Sequence, residues 1–217
     1  MKIFLDSADV AEIKEAMSLG VVDGVTTNPS LMAKTGSDPK EVIKKICLIA
    51  ACEISAEVFA EDAAKMILEG NIISELASNL VIKLPLTIDG LKACKYFSGI
   101  GIKTNVTLCF SAAQALLAAN ADASYVSPFV GRLDDVGQNG VDLIRDIKLI
   151  YSNYPNIRTK ILAASIRSKE HVIDVARAGA DAATMPLKII KDLYSHDLTN
   201  KGLKIFQEAI SNISDGF

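Results

Sequence analysis

Along the chain, short runs of apolar and β-branched residues alternate with longer stretches whose apolar residues recur every three or four positions. The short runs predict strands at 2–5, 24–27, 54–58, 80–84, 102–107, 124–126, 160–164 and 182–185. The longer stretches predict helices, among them 10–19, 39–52, 61–78 and 141–152. Such alternation, with no linker and no shift in composition, calls for a parallel sheet. Over 217 residues, eight strand–helix units average about 27 residues each, tight but workable for a closed barrel. An open doubly wound sheet shares the alternation but normally carries a Gly-rich first turn. The first turn here, Asp6-Ser7-Ala8-Asp9-Val10-Ala11-Glu12, has no glycine. The expected fold is α/β, a single (β/α)8 TIM barrel over residues 1–217. A ninth helical stretch, 198–214, has no strand left to follow. Its Leu203, Phe206, Ile210 and Ile213 form an apolar stripe that packs either on its own barrel or on a neighbouring subunit.

Composition narrows the class. Half the residues (50%) are hydrophobic and the net charge is only −3, which excludes a disordered chain. No apolar run reaches the ~18 residues of a membrane span, and Asp6 interrupts the N-terminus too early for a secretory signal. The mild acidity argues against nucleic-acid binding. Cys47, Cys52, Cys94 and Cys109 contain no CxxC, and only 2 histidines accompany them. Reduced cytoplasmic thiols are expected, rather than zinc or disulfides.

In a parallel barrel the chemistry sits where strands end and loops begin. Polar side chains gather at those positions: Asp6, Asn28, Glu57, Lys83, Asn105 and Thr107, Ser127 and Arg132, then Ser165 and Arg167. Strand residues alternate between faces, so Lys83 shares one with Val81, and Asn105 with Thr107. The opposite faces, Ile82 with Leu84 and Val106 with Leu108, are apolar, as helix-covered faces should be. Taken singly, each polar residue has a structural explanation. Glu57 could merely pair with a lysine, Asp6 could cap a helix, and Asn28 could be a turn residue before Pro29. Their shared location is what those explanations miss.

Lys83 carries the most information. It lies in Leu80-Val81-Ile82-Lys83-Leu84-Pro85, a run that reads as a buried strand. Burying an ammonium is costly without a partner, and burial in general favours the uncharged amine, which can attack a carbonyl and form a Schiff base. Glu57, on the adjacent strand, could pass protons through a water held by Thr107. The late strands suggest an anion site, since Ser127 with Arg132 and Ser165 with Arg167 each combine a hydroxyl with a guanidinium suited to phosphate. Surface pairing of Arg132 with Asp134 or Asp135 is the structural alternative.

Four ordered motifs carry a resemblance over essentially the whole chain: Gly24-Val25-Thr26-Thr27-Asn28-Pro29-Ser30-Leu31, Val81-Ile82-Lys83-Leu84-Pro85, Thr104-Asn105-Val106-Thr107-Leu108 and Ser127-Pro128-Phe129-Val130-Gly131-Arg132. They resemble the transaldolases. The chain length and Ala163-Ala164-Ser165-Ile166-Arg167 resemble their small subfamily, which includes fructose-6-phosphate aldolase. The resemblance implies a Schiff-base lysine at Lys83, a proton relay through Glu57 and a water on Thr107, and Asp6 as the base for carbon–carbon cleavage. It assigns Asn28, Asn105 and Ser127 to substrate hydroxyls, and Arg132, Ser165 and Arg167 to the phosphate.

The implied reaction moves a dihydroxyacetone unit from fructose 6-phosphate or sedoheptulose 7-phosphate to an aldose phosphate, in the non-oxidative pentose phosphate pathway. Neither metal nor organic cofactor is expected, and a ring-shaped homo-oligomer, pentamer or decamer, is implied. An aldolase releasing free dihydroxyacetone is the nearest rival; that group has Gln where this chain has Glu57, and Tyr where it has Phe129. A non-catalytic sugar-phosphate-binding barrel is the more distant one, and it would have no need of a buried amine.

Overall fold

In a computed structural model describing residues 1–211, the eight strand runs form one closed parallel barrel in sequence order. The strands are β1 (Lys2–Asp6), β2 (Gly24–Thr26), β3 (Glu53–Glu57), β4 (Leu80–Pro85), β5 (Thr104–Cys109), β6 (Tyr125–Pro128), β7 (Lys160–Ala163) and β8 (Ala182–Met185). Pairing of β8 with β1 closes the ring. Helices α1 (Val10–Ser18), α4 (Ala63–Ser74), α5 (Ile88–Gly99), α6 (Ala112–Asn120), α9 (Lys169–Arg177) and α10 (Leu187–Tyr194) each follow one strand. Two helices follow β2, α2 (Pro29–Lys34) and α3 (Pro39–Ile49), and two follow β6, α7 (Val130–Asp135) and α8 (Gly140–Ser152). No helix among the described residues is long and apolar enough to cross a membrane.

Local chemistry sets the helix starts. Asp9, Asn28, Asp62, Thr87, Ser111 and Ser168 each accept a hydrogen bond from a first-turn backbone N–H, supplying a partner the helix itself cannot. The Asp62 cap starts α4 at Ala63, two residues inside the helix expected over 61–78. The helix expected over 39–52 stops at Ile49 because Ala50 turns extended, with φ −107° and ψ 106°. Asp9, and not Asp6, caps α1, which leaves the Asp6 carboxylate free of that duty.

Strand parity sorts the side chains into layers. Phe4, Val81, Tyr125, Leu162 and Ala182 fill the lower barrel. Gly24 makes room there, since a Cβ on it would lie 2.5 Å from the Phe4 ring. Outward residues such as Leu5, Ile54, Ile82, Leu84, Val106 and Ile161 join the helices in a second core. The alternation expected to run through Leu108 breaks there. Leu108 adopts φ 61°, the β5–β6 register shifts between Val106 and Cys109, and Cys109 joins the outer core instead.

The last helix, α11 (Asp197–Ser211), has no buried residue. Leu203, Phe206 and Ile210 are exposed along it, so the stripe does not pack on its own barrel. Ile213, the fourth member of that stripe, lies outside the described residues.

Candidate active site

Above the apolar layer the barrel interior turns polar. Thr26, Ser55, Asn105 and Thr184 are all buried there, and the polar strand ends rise from this floor to the C-terminal mouth. A cavity of about 140 Å³ opens among them. Asp6, Asn28, Lys83, Thr107, Ser127, Arg132 and Ser165 line it, together with Thr26, Phe129, Ala164 and Thr184. A larger depression of about 760 Å³ lies at the opposite barrel end, bordered by Glu53, Lys103, Tyr125 and Lys160. Its chemistry is spent internally: Lys103 pairs with Glu53 at 2.6 Å, Tyr125 donates to the same carboxylate, and Lys160 sits over the Tyr125 ring. The smaller cavity is the one where unlike polar groups converge.

Lys83 is only 5% exposed. The β3–β4 register sets it directly opposite Glu57, and the two side chains form an ion pair at 3.0 Å. Its Nζ also donates to the Thr27 carbonyl at 2.8 Å. Two fixed acceptors hold the amine in one place while its third substituent direction is available to the cavity it lines. Glu57 itself does not line the cavity, so it meets the site through Lys83. Thr107 on β5 is buried, and its hydroxyl has no hydrogen-bond partner among the described residues. An orphaned hydroxyl on a cavity wall suits a group that acts on a bound molecule.

Asp6 faces Lys83 across the site. Burial pushes its carboxyl above the usual aspartate range, while the Lys83 charge and hydrogen bonds from Thr26 and Asn28 pull it back. Asn28 has two jobs, because its side chain hydrogen-bonds Asp6 while its Oδ1 accepts from Leu31 N–H at 2.9 Å, capping α2. Asn105 does not line the cavity. Its amide is consumed beneath it, accepting from Ser127 Oγ at 2.7 Å and donating to Ser55 Oγ at 3.2 Å. Asn105 thereby orients Ser127, which does reach the cavity.

The two arginines part company. Arg132 lines the cavity and lies 4.8 Å from the centroid of the Phe129 ring, which stacks in turn near Phe110. Arg167 does not line it and forms a two-pronged ion pair with Asp135, whose carboxyl it holds below the usual range. The aspartate pairing foreseen for Arg132 thus belongs to Arg167. Ser165 adopts φ 59°, a left-handed backbone that costs a non-glycine residue about 1–2 kcal/mol. Its carbonyl accepts from Gly131 N–H at 3.1 Å, pinning the β7 loop to the start of α7. A Cβ at Gly131 would stand 2.4 Å from that carbonyl and 2.7 Å from Arg167 Nε, so only glycine permits this approach.

With this geometry established, comparison with known proteins is decisive. The transaldolase/fructose-6-phosphate aldolase family model matches residues 3–215. The chain belongs to this family. A probable transaldolase from Caldicellulosiruptor saccharolyticus is 57% identical over 206 residues, covering 95% of both chains. One from Parvibaculum lavamentivorans is 55% identical over 206 residues, covering 95% of this chain and 94% of its own. A third, from Paracoccus denitrificans, is 56% identical with the same coverage, 95% and 94%.

Two residues on the cavity wall, Thr26 and Thr184, were not singled out from the sequence. A signal was present, because both are polar positions of strand runs that stand on the interior-facing side, Thr184 by parity with Ala182. Thr26 precedes Asn28 by two, and Thr184 stands on β8, the one strand for which no polar group was counted.

Proposed function

We propose that this enzyme is a transaldolase that carries a dihydroxyacetone unit on Lys83, from fructose 6-phosphate or sedoheptulose 7-phosphate to erythrose 4-phosphate or glyceraldehyde 3-phosphate. The observation that carries the reading is the buried Lys83 amine, fixed between Glu57 and the Thr27 carbonyl on the wall of the polar cavity. Glu57 takes the ammonium proton, and the freed amine attacks the ketose carbonyl. Loss of water then gives a protonated imine. Asp6 removes the proton of the hydroxyl carried by the far carbon of the bond to be broken. As that oxygen becomes a carbonyl, the carbon–carbon bond breaks and its electron pair flows into the imine as an enamine. The aldehyde product leaves, the acceptor aldehyde takes the enamine electrons, and Asp6 returns the proton to its oxygen. Hydrolysis through a water held by Thr107 releases the new ketose.

Arg132 and Ser165, with Arg167 through the guanidinium edge that Asp135 leaves open, bind the phosphate; Asn28 and Ser127 hold donor hydroxyls, with Asn105 beneath. We place this activity in the non-oxidative pentose phosphate pathway of the cytoplasm. The exposed α11 stripe seats on an adjacent copy in a ring of five subunits, single or as a pair of such rings. Borohydride added with fructose 6-phosphate should fix an adduct on the peptide containing Lys83, and Lys83→Ala should abolish it with the fold intact. An adduct on another lysine overturns the assignment. Free dihydroxyacetone released from fructose 6-phosphate alone as fast as it is transferred to erythrose 4-phosphate would make the protein an aldolase.

A further inference from the structure

Opposite Lys83, three oxygens form an unbroken chain from β1 through β2 to β8. The Thr26 hydroxyl donates to Asp6 Oδ1 at 2.9 Å, and Thr26 Oγ1 lies 2.7 Å from Thr184 Oγ1. Both threonines are buried, at 2% and 5% exposure, and both line the cavity. The direction of the chain follows from counting protons. An ionised carboxylate only accepts, so Thr26 must give Asp6 its single hydroxyl proton. Thr26 then has none left for Thr184, and Thr184 must be the donor in the second bond. Protonation of Asp6 reverses the order, with Asp6 donating to Thr26 and Thr26 to Thr184.

We propose that Thr184 is a positioning residue for the carbon–carbon cleavage step, acting through Thr26 to aim Asp6 and favour its ionised form. This rests on the assignment of Asp6 as the base of the transaldolase reaction. The ionised arrangement is charge-assisted and the reversed one is not, so the chain stabilises the carboxylate more than the acid. That is the state needed to take a proton from the substrate hydroxyl. Closure of the barrel is essential to the device, because β8 reaches β2 only across β1, which pairs with both. The Lys83 ammonium is the charged group that acts on Asp6, whose carboxylate also takes hydrogen bonds from the Thr26 hydroxyl and the Asn28 side chain.

The test compares Thr184→Val, Thr184→Ser and Thr184→Ala with the unaltered enzyme, using fructose 6-phosphate and erythrose 4-phosphate. Loss of one neutral hydrogen bond should lower kcat about 3–10-fold in the Val and Ala variants, with KM nearly unchanged. The acid limb of the kcat profile should move to higher pH, and Thr184→Ser should restore both. The borohydride adduct on Lys83 should still form, because imine formation precedes the step that Asp6 serves. In an Asp6→Asn background, Thr184→Val should cost nothing further. An unshifted acid limb, an additive loss with Asp6→Asn, or a Ser variant no better than Val would overturn the proposal. Should the Val variant fail to fold, the Ser and Ala pair decides by the same profile. An unaltered enzyme that neither transfers nor traps an adduct would instead overturn the transaldolase reading, and this inference with it.

Discussion

Replacing Thr107 by Val should make the protein more stable and a poorer catalyst. The hydroxyl is buried on the cavity wall with no partner among the described residues. A buried hydroxyl left unpaired costs about 1–3 kcal/mol. Because this one borders a polar cavity, the lower end applies, about 1 kcal/mol. Val has nearly the same shape, so β5 keeps its packing while that cost disappears. For a chain of this size 1 kcal/mol corresponds to roughly 2–4 °C in Tm. Urea titration should show a higher midpoint with an unchanged slope, since the surface exposed on unfolding is the same. Activity should move the other way. Without a hydroxyl to hold the water used in imine formation and hydrolysis, kcat should fall about 10–100-fold, within the range of a lost proton-transfer element. The initial rate of borohydride trapping at Lys83 should fall with it. A variant less stable by 1 kcal/mol would show that the hydroxyl has a structural partner in solution. One that turns over normally would remove Thr107 from the mechanism.

Further consequences concern charge and assembly. Arg132→Ala and Arg167→Ala should each raise KM for phosphorylated substrates about 10–100-fold, equivalent to a charged hydrogen bond of about 1.5–3 kcal/mol. Activity on unphosphorylated dihydroxyacetone donors should change far less; equal losses for Arg167→Ala would mean that its pair with Asp135 is a clasp between β7 and α7. Asp6→Asn should slow cleavage about 10²–10⁴-fold, leaving a measurable residual rate, yet be more stable at neutral pH. The folded carboxyl sits above its ordinary value of 3.8, so the native state holds this proton more tightly than the unfolded chain, and stability falls as pH rises from 3.8 through the raised value. The gain in urea midpoint at pH 7 should therefore shrink toward pH 3.8, and a variant destabilised at pH 7 would contradict the dominance of burial over the Lys83 attraction. Truncation after Tyr194 should give smaller species by light scattering with the far-ultraviolet barrel signal retained, whereas an unchanged assembly would exclude α11 as the contact.

What the sequence determined by itself was the order of elements and the face on which each strand residue stands. Periodicity is a local property, so the alternation of apolar Ile82 and Leu84 with Val81 and Lys83 already placed Lys83 inside, and the one-residue register of β3 against β4 then brought Glu57 beside it. It could not determine which polar groups pair with one another, because those partners lie far apart along the chain. Arg167 meets Asp135 over 32 residues, Asn105 meets Ser55 over 50, and Thr26 meets Thr184 over 158. Only closure of the sheet sets β8 against β1, and only the barrel interior forces a hydroxyl there to find a buried partner. The same closure distinguished the exposed stripe of α11 from the buried faces of the earlier helices, a difference that an identical apolar spacing leaves invisible.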